Sequence, residues 1–144
     1  MKTEYRLFTR LIFWGSSLAT TPLIEGLCLD ASICQTKRKG EPLKRPDGTE
    51  TGSVARTGML IYDAAKQSPQ ISHDPDSQFT AIVEALRRLE KGRLADTYSV
   101  ETAELQLSFY YEDRAEGEPD VVIPTELLKL LAHHGIGLRI TVLP

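Results

Sequence analysis

Two periodicities alternate along this chain. Between residues 4 and 14, Leu7, Thr9, Leu11 and Phe13 fall on one side, and Arg6, Phe8, Arg10, Ile12 and Trp14 fall on the other. That is the period-two signature of a strand. The first side reads as a core face. The second mixes two guanidiniums with three large apolar groups, an unusual composition for a face turned wholly to water. Thr21-Pro22 reads as an N-cap followed by proline at the first helical position, and Leu23, Ile24, Leu27 and Cys28 form a stripe along a short helix. A short strand is expected around residues 32–36. A long polar loop follows, up to Gly58, with Gly40, Gly48, Gly52, Pro42 and Pro46 in it. Met59-Leu60-Ile61-Tyr62 is apolar enough for a strand buried on both faces.

Asp74-Pro75 opens the longest helix. Phe79, Ile82, Val83, Leu86 and Leu89 recur at helical spacing, and Gly92 sits where a left-handed cap belongs. Residues 102–111 alternate strictly, with Ala103, Leu105, Leu107, Phe109 and Tyr111 on one side. After an acidic turn comes a short Val121-Val122-Ile123 segment. Pro124-Thr125-Glu126 then starts a helix with Leu127, Leu128, Leu130 and Leu131 inward, ended by Gly135; Ile136, Leu138, Ile140 and Val142 alternate along a last strand. The order is β-α-β-β-α-β-(β)-α-β. Amphipathic strands separated by amphipathic helices predict one α+β domain spanning 1–144, with a mainly antiparallel sheet and helices packed on one face.

Composition narrows the class. The 144 residues are 41% apolar and 26% charged with a net charge of −3, which excludes collagen-like and strongly disordered chains. A sequence pI of about 5.6 speaks against a globally basic nucleic-acid binder. No apolar run approaches the roughly 18 residues of a membrane-spanning helix. Lys2, Arg6 and Arg10 before Leu11-Ile12-Phe13-Trp14 imitate a secretory leader, but the pure apolar run ends at Gly15. The expectation is a chain with no leader removed, located in the cytoplasm, with Cys28 and Cys34 as two small buried hydrophobes in a reducing compartment.

Recognised catalytic motifs do not occur: the chain has no phosphate loop, no His-Glu-x-x-His, no dinucleotide fingerprint and no Gly-x-Ser-x-Gly. His133 and His134 project about 100° apart on a helix, which suits two cations near a helix C-terminus better than one metal. Asp74 after His73 is explained as a cap. Cys34 near Lys37 and Arg38 suggests a depressed thiol pKa, although no base stands beside it. The expectation is therefore no enzyme, no metal and no cofactor.

Charge is more informative. Residues 1–72 carry net +3 and residues 73–144 net −6. Lys37, Arg38, Lys39, Lys44 and Arg45 surround Gly40. Glu112, Asp113, Glu116, Glu118 and Asp120 crowd nine residues, offset only by Arg114. The acidic turn suits docking of a basic protein partner, whose approach carboxylates accelerate. The basic loop gives an alternative, a small binder of phosphate-bearing ligand or nucleic acid. The mixed face of the first strand adds Arg6, Phe8, Arg10 and Trp14, with Tyr110 as a neighbour, because Trp, Tyr and Arg dominate interface energetics. Another helix, or a second copy of the chain forming a homodimer, is the competing cover for that face.

Four features together resemble a known family: Tyr5-Arg6-Leu7-Phe8 at the start, Thr36-Lys37-Arg38-Lys39-Gly40-Glu41 after a short helix, the leucine-rich middle helix, and Ile123-Pro124-Thr125-Glu126-Leu127-Leu128-Lys129-Leu130-Leu131-Ala132 with Gly135-Ile136 before the last strand. This pattern resembles the bacterial family known as domain of unknown function 4279. At Gly58-Met59-Leu60-Ile61 this chain departs from it, since such proteins often carry a tryptophan there. The resemblance implies a small bacterial cytoplasmic α+β protein. Similar proteins sit among candidate immunity proteins, so it implies a toxin domain as the basic partner.

Overall fold

The computed structural model describes residues 5–67, 74–89, 93–111 and 121–143. Strand β1 (Tyr5–Gly15) lies in the middle of a five-stranded sheet ordered β2-β5-β1-β6-β7. It pairs antiparallel with β5 (Gly58–Asp63) on one side and with β6 (Thr102–Tyr111) on the other. The short β2 (Cys34–Lys37) closes one edge, antiparallel to β5; β7 (Gly137–Leu143) closes the other, parallel to β6. This is the α+β architecture with a mainly antiparallel sheet that the pattern predicts.

The core side of β1 sorts as the sequence implies, whereas Ile12 on the opposite side is buried as well. Leu7, Leu11 and Phe13 are buried together with Leu105 and Leu107 of β6 and Leu60 and Tyr62 of β5. The four helices among the described residues feed this same cluster: Leu23 from α1 (Thr20–Gly26) with Leu27 at its C-cap, Phe79, Ile82 and Leu86 from α2 (Pro75–Arg87), Leu94 from α3 (Arg93–Tyr98), and Leu127 and Leu131 from α4 (Thr125–His134). The helical layer therefore covers one face, and the row Arg6, Phe8, Arg10 turns to the other. Asp74 caps α2 by accepting from the Asp76 amide at 3.3 Å, with proline at the first helical position; α4 ends on Gly135 at φ 67°.

One polar residue completes the core. β5 ends opposite Arg10, so the first half of β1 has no β5 partner. Gln78 of α2 fills the gap: its Oε1 accepts from the Thr9 amide at 3.0 Å, and its Nε2 donates to the Leu7 carbonyl at 2.8 Å. The side-chain amide replaces the missing strand.

Several expectations are corrected. Helix α1 starts at Thr20 with Ala19 before it, so Thr21 and Pro22 lie inside the first turn, where proline's missing N–H costs nothing. The long loop contains a two-stranded ribbon, β3 (Pro42–Lys44) paired with β4 (Glu50–Val54), closed by Asp47-Gly48 with Gly48 at φ 89°. Residues 121–124 form no strand, and Val122 is exposed. Helix α3 was not anticipated; Leu94 and Val100 are too widely spaced to register as a stripe. Leu128 points outward. Gly92 and His73 lie outside the described residues.

Cys28 is exposed rather than buried, because it follows α1 in the left-handed region at φ 54°. Its amide donates to the Glu25 carbonyl at 3.0 Å and that of Leu29 to the Ile24 carbonyl at 3.0 Å, a helix stop that usually uses glycine at this position. Cys28→Gly is accordingly expected to raise stability by about 0.5–1 kcal/mol, checked by urea denaturation.

Candidate functional site

The open face of the sheet gathers four of the residues singled out by the sequence. Arg6 lies directly across from Tyr110, and Phe8 is two pairs further along β1, opposite Ser108. The Phe8 and Tyr110 rings meet edge to face, centroids 5.2 Å apart and planes at 86°, the geometry their quadrupoles favour. With Arg6 and Arg10 they line a cleft of about 260 Å³.

Arg10 is held in place from behind. It sits opposite Asp63 in the ladder, and its Nε donates to Asp63 Oδ2 at 3.3 Å. Asp63 is buried, and its Oδ1 accepts from the Ala65 amide at 3.0 Å. A short 3-10 turn (Ala64–Lys66) thus fixes the carboxylate that orients the guanidinium. On the far side of Arg10 a second cleft, about 180 Å³, is lined by Ile33, Gln35, Ile61, Asp63 and Lys66. Among the described residues, the walls of both clefts are strand and 3-10 residues, and none comes from α1 to α4. Asp63 and Lys66 were not anticipated, and the only cue was an Asp followed by two alanines where a strand ends.

Trp14 is not part of this cluster. It is half-buried on the same face, opposite Met59 and Thr102. Six residues of strand separate it from Phe8, roughly 20 Å at the usual rise. Glu112, Asp113, Glu116, Glu118 and Asp120 lie outside the described residues, immediately after Tyr111 in the chain.

The basic residues do not form one loop around Gly40. Lys37 ends β2, and Arg38 and Lys39 are exposed at the base of the ribbon, with Lys44 and Arg45 at its tip. The Arg45 guanidinium is engaged inside the hairpin, donating to the Glu50 carbonyl at 2.9 Å. Asp47 organises the same turn by accepting from the Thr49 amide at 2.9 Å; the Thr49 hydroxyl and amide hold the Asp47 carboxyl below its ordinary pKa.

Cys34 also departs from expectation. Burial, and then the Asp30 carboxylate, push its thiol pKa up rather than down, which leaves less thiolate at neutral pH. Burial likewise pushes the Tyr62 phenol up to about 12; its hydroxyl donates to Gln67.

A cavity of about 510 Å³ lies at the other end of β6, lined in part by Leu94, Val100, Glu101, Glu104, His133 and His134. His134 Nε2 bonds the Leu86 carbonyl at 3.1 Å, which makes that nitrogen the protonated one and Nδ1 the acceptor. Desolvation lowers the His134 pKa, opposed by the Leu86 contact and reinforced by His133, which favours the neutral ring. It is therefore not the helix-end cation that adjacent histidines imply. Among the described residues no three His, Cys, Asp or Glu side chains converge as metal ligands, and no helix is long and apolar enough to cross a membrane.

Comparison with known proteins returns no match among family models, curated sequences or solved structures.

Proposed function

We propose that this chain is a non-catalytic protein-binding module, an immunity protein that occludes a basic toxin domain, and that the cleft of Arg6, Phe8, Arg10 and Tyr110 is its anchor site. The supporting observation is the cleft itself: two arginines and an aromatic pair carried on two paired strands, with no helix among the described residues of its walls. Residues of these types in a preformed pocket are what protein interfaces use as hot spots. The acidic segment from Glu112 begins two positions after Tyr110. Its five carboxylates would steer a basic partner towards the anchor and occupy the sites that phosphates fill in a nuclease-like protein.

The product of a neighbouring toxin-type reading frame is the partner to test by calorimetry and stopped-flow binding. Phe8→Ala with Tyr110→Ala is expected to weaken binding roughly a hundredfold. Reversing charge at Glu116 and Glu118 should slow association at low salt and leave dissociation nearly unchanged. Unchanged affinity in the aromatic double variant removes the anchor site. Salt-sensitive binding of RNA, lost on Lys37→Ala with Arg38→Ala, would instead establish the anion-binding alternative.

A further inference from the structure

One row of β7 is composed like a core strand yet lies outside the core. Leu138, Ile140 and Val142 stand beside Leu105, Leu107 and Phe109 of β6 in the parallel ladder. The β6 residues are all buried, whereas the β7 residues are 40%, 55% and 54% exposed.

The position of α4 accounts for this. Glu126 pairs with Arg87 and His134 bonds the Leu86 carbonyl, so that flank of α4 faces α2. Leu127 and Leu131 point into the core. At about 100° per residue, Leu128 leaves from the opposite flank, away from α2 and towards β7, and it is 44% exposed. Leu127 and Leu131 join the core that holds Leu105, Leu107 and Phe109, and the β7 row is left open.

Among the described residues β7 is also an outermost strand without the usual protection. The other edge, β2, has four residues and ends on Lys37. β7 has seven residues in unbroken register and contains no proline. Its one charged residue, Arg139, stays 64% exposed but is paired with Glu104 of the adjacent strand at 2.8 Å, so it is not a free edge charge. Edges of this length normally carry a free charge, a bulge or a proline against pairing with another chain.

We propose that a second copy of this chain covers the edge, β7 pairing antiparallel with its counterpart across a twofold axis at Ile140. The row is apolar in both directions about that residue. Leu138 meets Val142 of the second copy, Ile140 meets itself, and Arg139 meets Thr141, so no like charges stand directly opposite. An antiparallel edge pairing places both helical layers on the same side. The two α4 helices then flank a trough floored by the six apolar side chains, with a Leu128 on each wall. The contact is one strand pair with six floor side chains and two leucines, a small interface for which reversible association is expected. This interface lies on the sheet edge, apart from the Phe8–Tyr110 cleft, and stands independently of the function proposed above.

Sedimentation equilibrium of the full chain tests it. A monomer–dimer equilibrium is expected, with Ile140→Arg raising the dissociation constant about thirtyfold or more. Ile140 is largely exposed, so the variant should melt like the parent. Val54→Arg, equally exposed but on the ribbon, should leave the equilibrium alone. Alternate β7 amides should exchange more slowly as concentration rises. A chain that is monomeric up to about 1 mM, or a dimer insensitive to Ile140→Arg, overturns the proposal. A dimer abolished by Phe8→Ala with Tyr110→Ala instead assigns self-association to the open face.

Discussion

Gln78→Leu is expected to cost about 3 kcal/mol of folding free energy, a drop in melting temperature of roughly 6–12 °C for a domain of this size. Leucine matches the volume but offers neither donor nor acceptor. The Thr9 amide and the Leu7 carbonyl would be left without a partner at a buried point where β5 has already ended. An unsatisfied buried backbone group costs about 1–3 kcal/mol, and here there are two. Burial of the added apolar carbon returns part of that, which sets the net figure. Gln78→Glu discriminates the mechanism: a carboxylate can still accept from Thr9 but presents oxygen to the Leu7 carbonyl. It should be destabilised as well, and less so at acid pH, where a protonated carboxyl restores a donor. Urea denaturation of the three proteins at pH 7 and pH 5 checks this. A Gln78→Leu protein as stable as the parent would show that water, rather than α2, completes β1.

The same residue shows what was legible in the sequence. Helix α2 was readable from Phe79, Ile82, Val83 and Leu86 because each contributes to one stripe at a fixed spacing. Gln78 lies within that stripe, one turn before Ile82, and its polarity was the signal: a glutamine on a buried face has to be bonded to something. What it bonds to could not be read, because the partner groups belong to backbone about seventy positions away. The ribbon was missed for a different reason. Asp47-Gly48 is a strong hairpin turn signal, but the flanking strands bury no face, and β4 is exposed at every position. Without a buried side there is no alternation to detect. In the candidate site, Arg6, Phe8, Arg10 and Tyr110 were legible because β1 and β6 alternate cleanly and their neighbourhood follows from antiparallel pairing. Asp63 was not, since its role depends on where β5 stops relative to Arg10. The exposure of β7 escaped notice because periodicity reports which residues share a face, and nothing about how far a helix extends over it.

Gly15→Ala should be the most damaging single-methyl change, about 3 kcal/mol or more of destabilisation from forced backbone movement. A Cβ at Gly15 would stand 2.2 Å from the Ser99 carbonyl oxygen, which is backbone and cannot rotate away. Ser99 is itself held at φ 56°, between the Ala95 carbonyl, which accepts from its amide at 3.2 Å, and Glu101, whose amide donates to the Trp14 carbonyl at 2.8 Å. Relieving the clash means moving β1 away from this turn. On the other side Gly15 faces Gly58, whose own Cβ would meet the Gly15 carbonyl at 2.7 Å, so little room remains there either. Two other glycines give the contrast. At Gly26 the nearest atom to an added Cβ is the Tyr98 hydroxyl at 2.3 Å, the end of a side chain that can turn, so the cost should be smaller. At Gly137 the nearest atom is 3.8 Å away, so alanine fits there and should be neutral or slightly stabilising. Thermal melts of the three alanine variants should therefore rank Gly15 lowest, Gly26 between and Gly137 at or above the parent. Any other order would mean that the β1 terminus is not pinned by the Ser99 turn. That pinning matters for the open face, because the strand it anchors carries Trp14 at one end and the Arg6–Phe8–Arg10 row at the other.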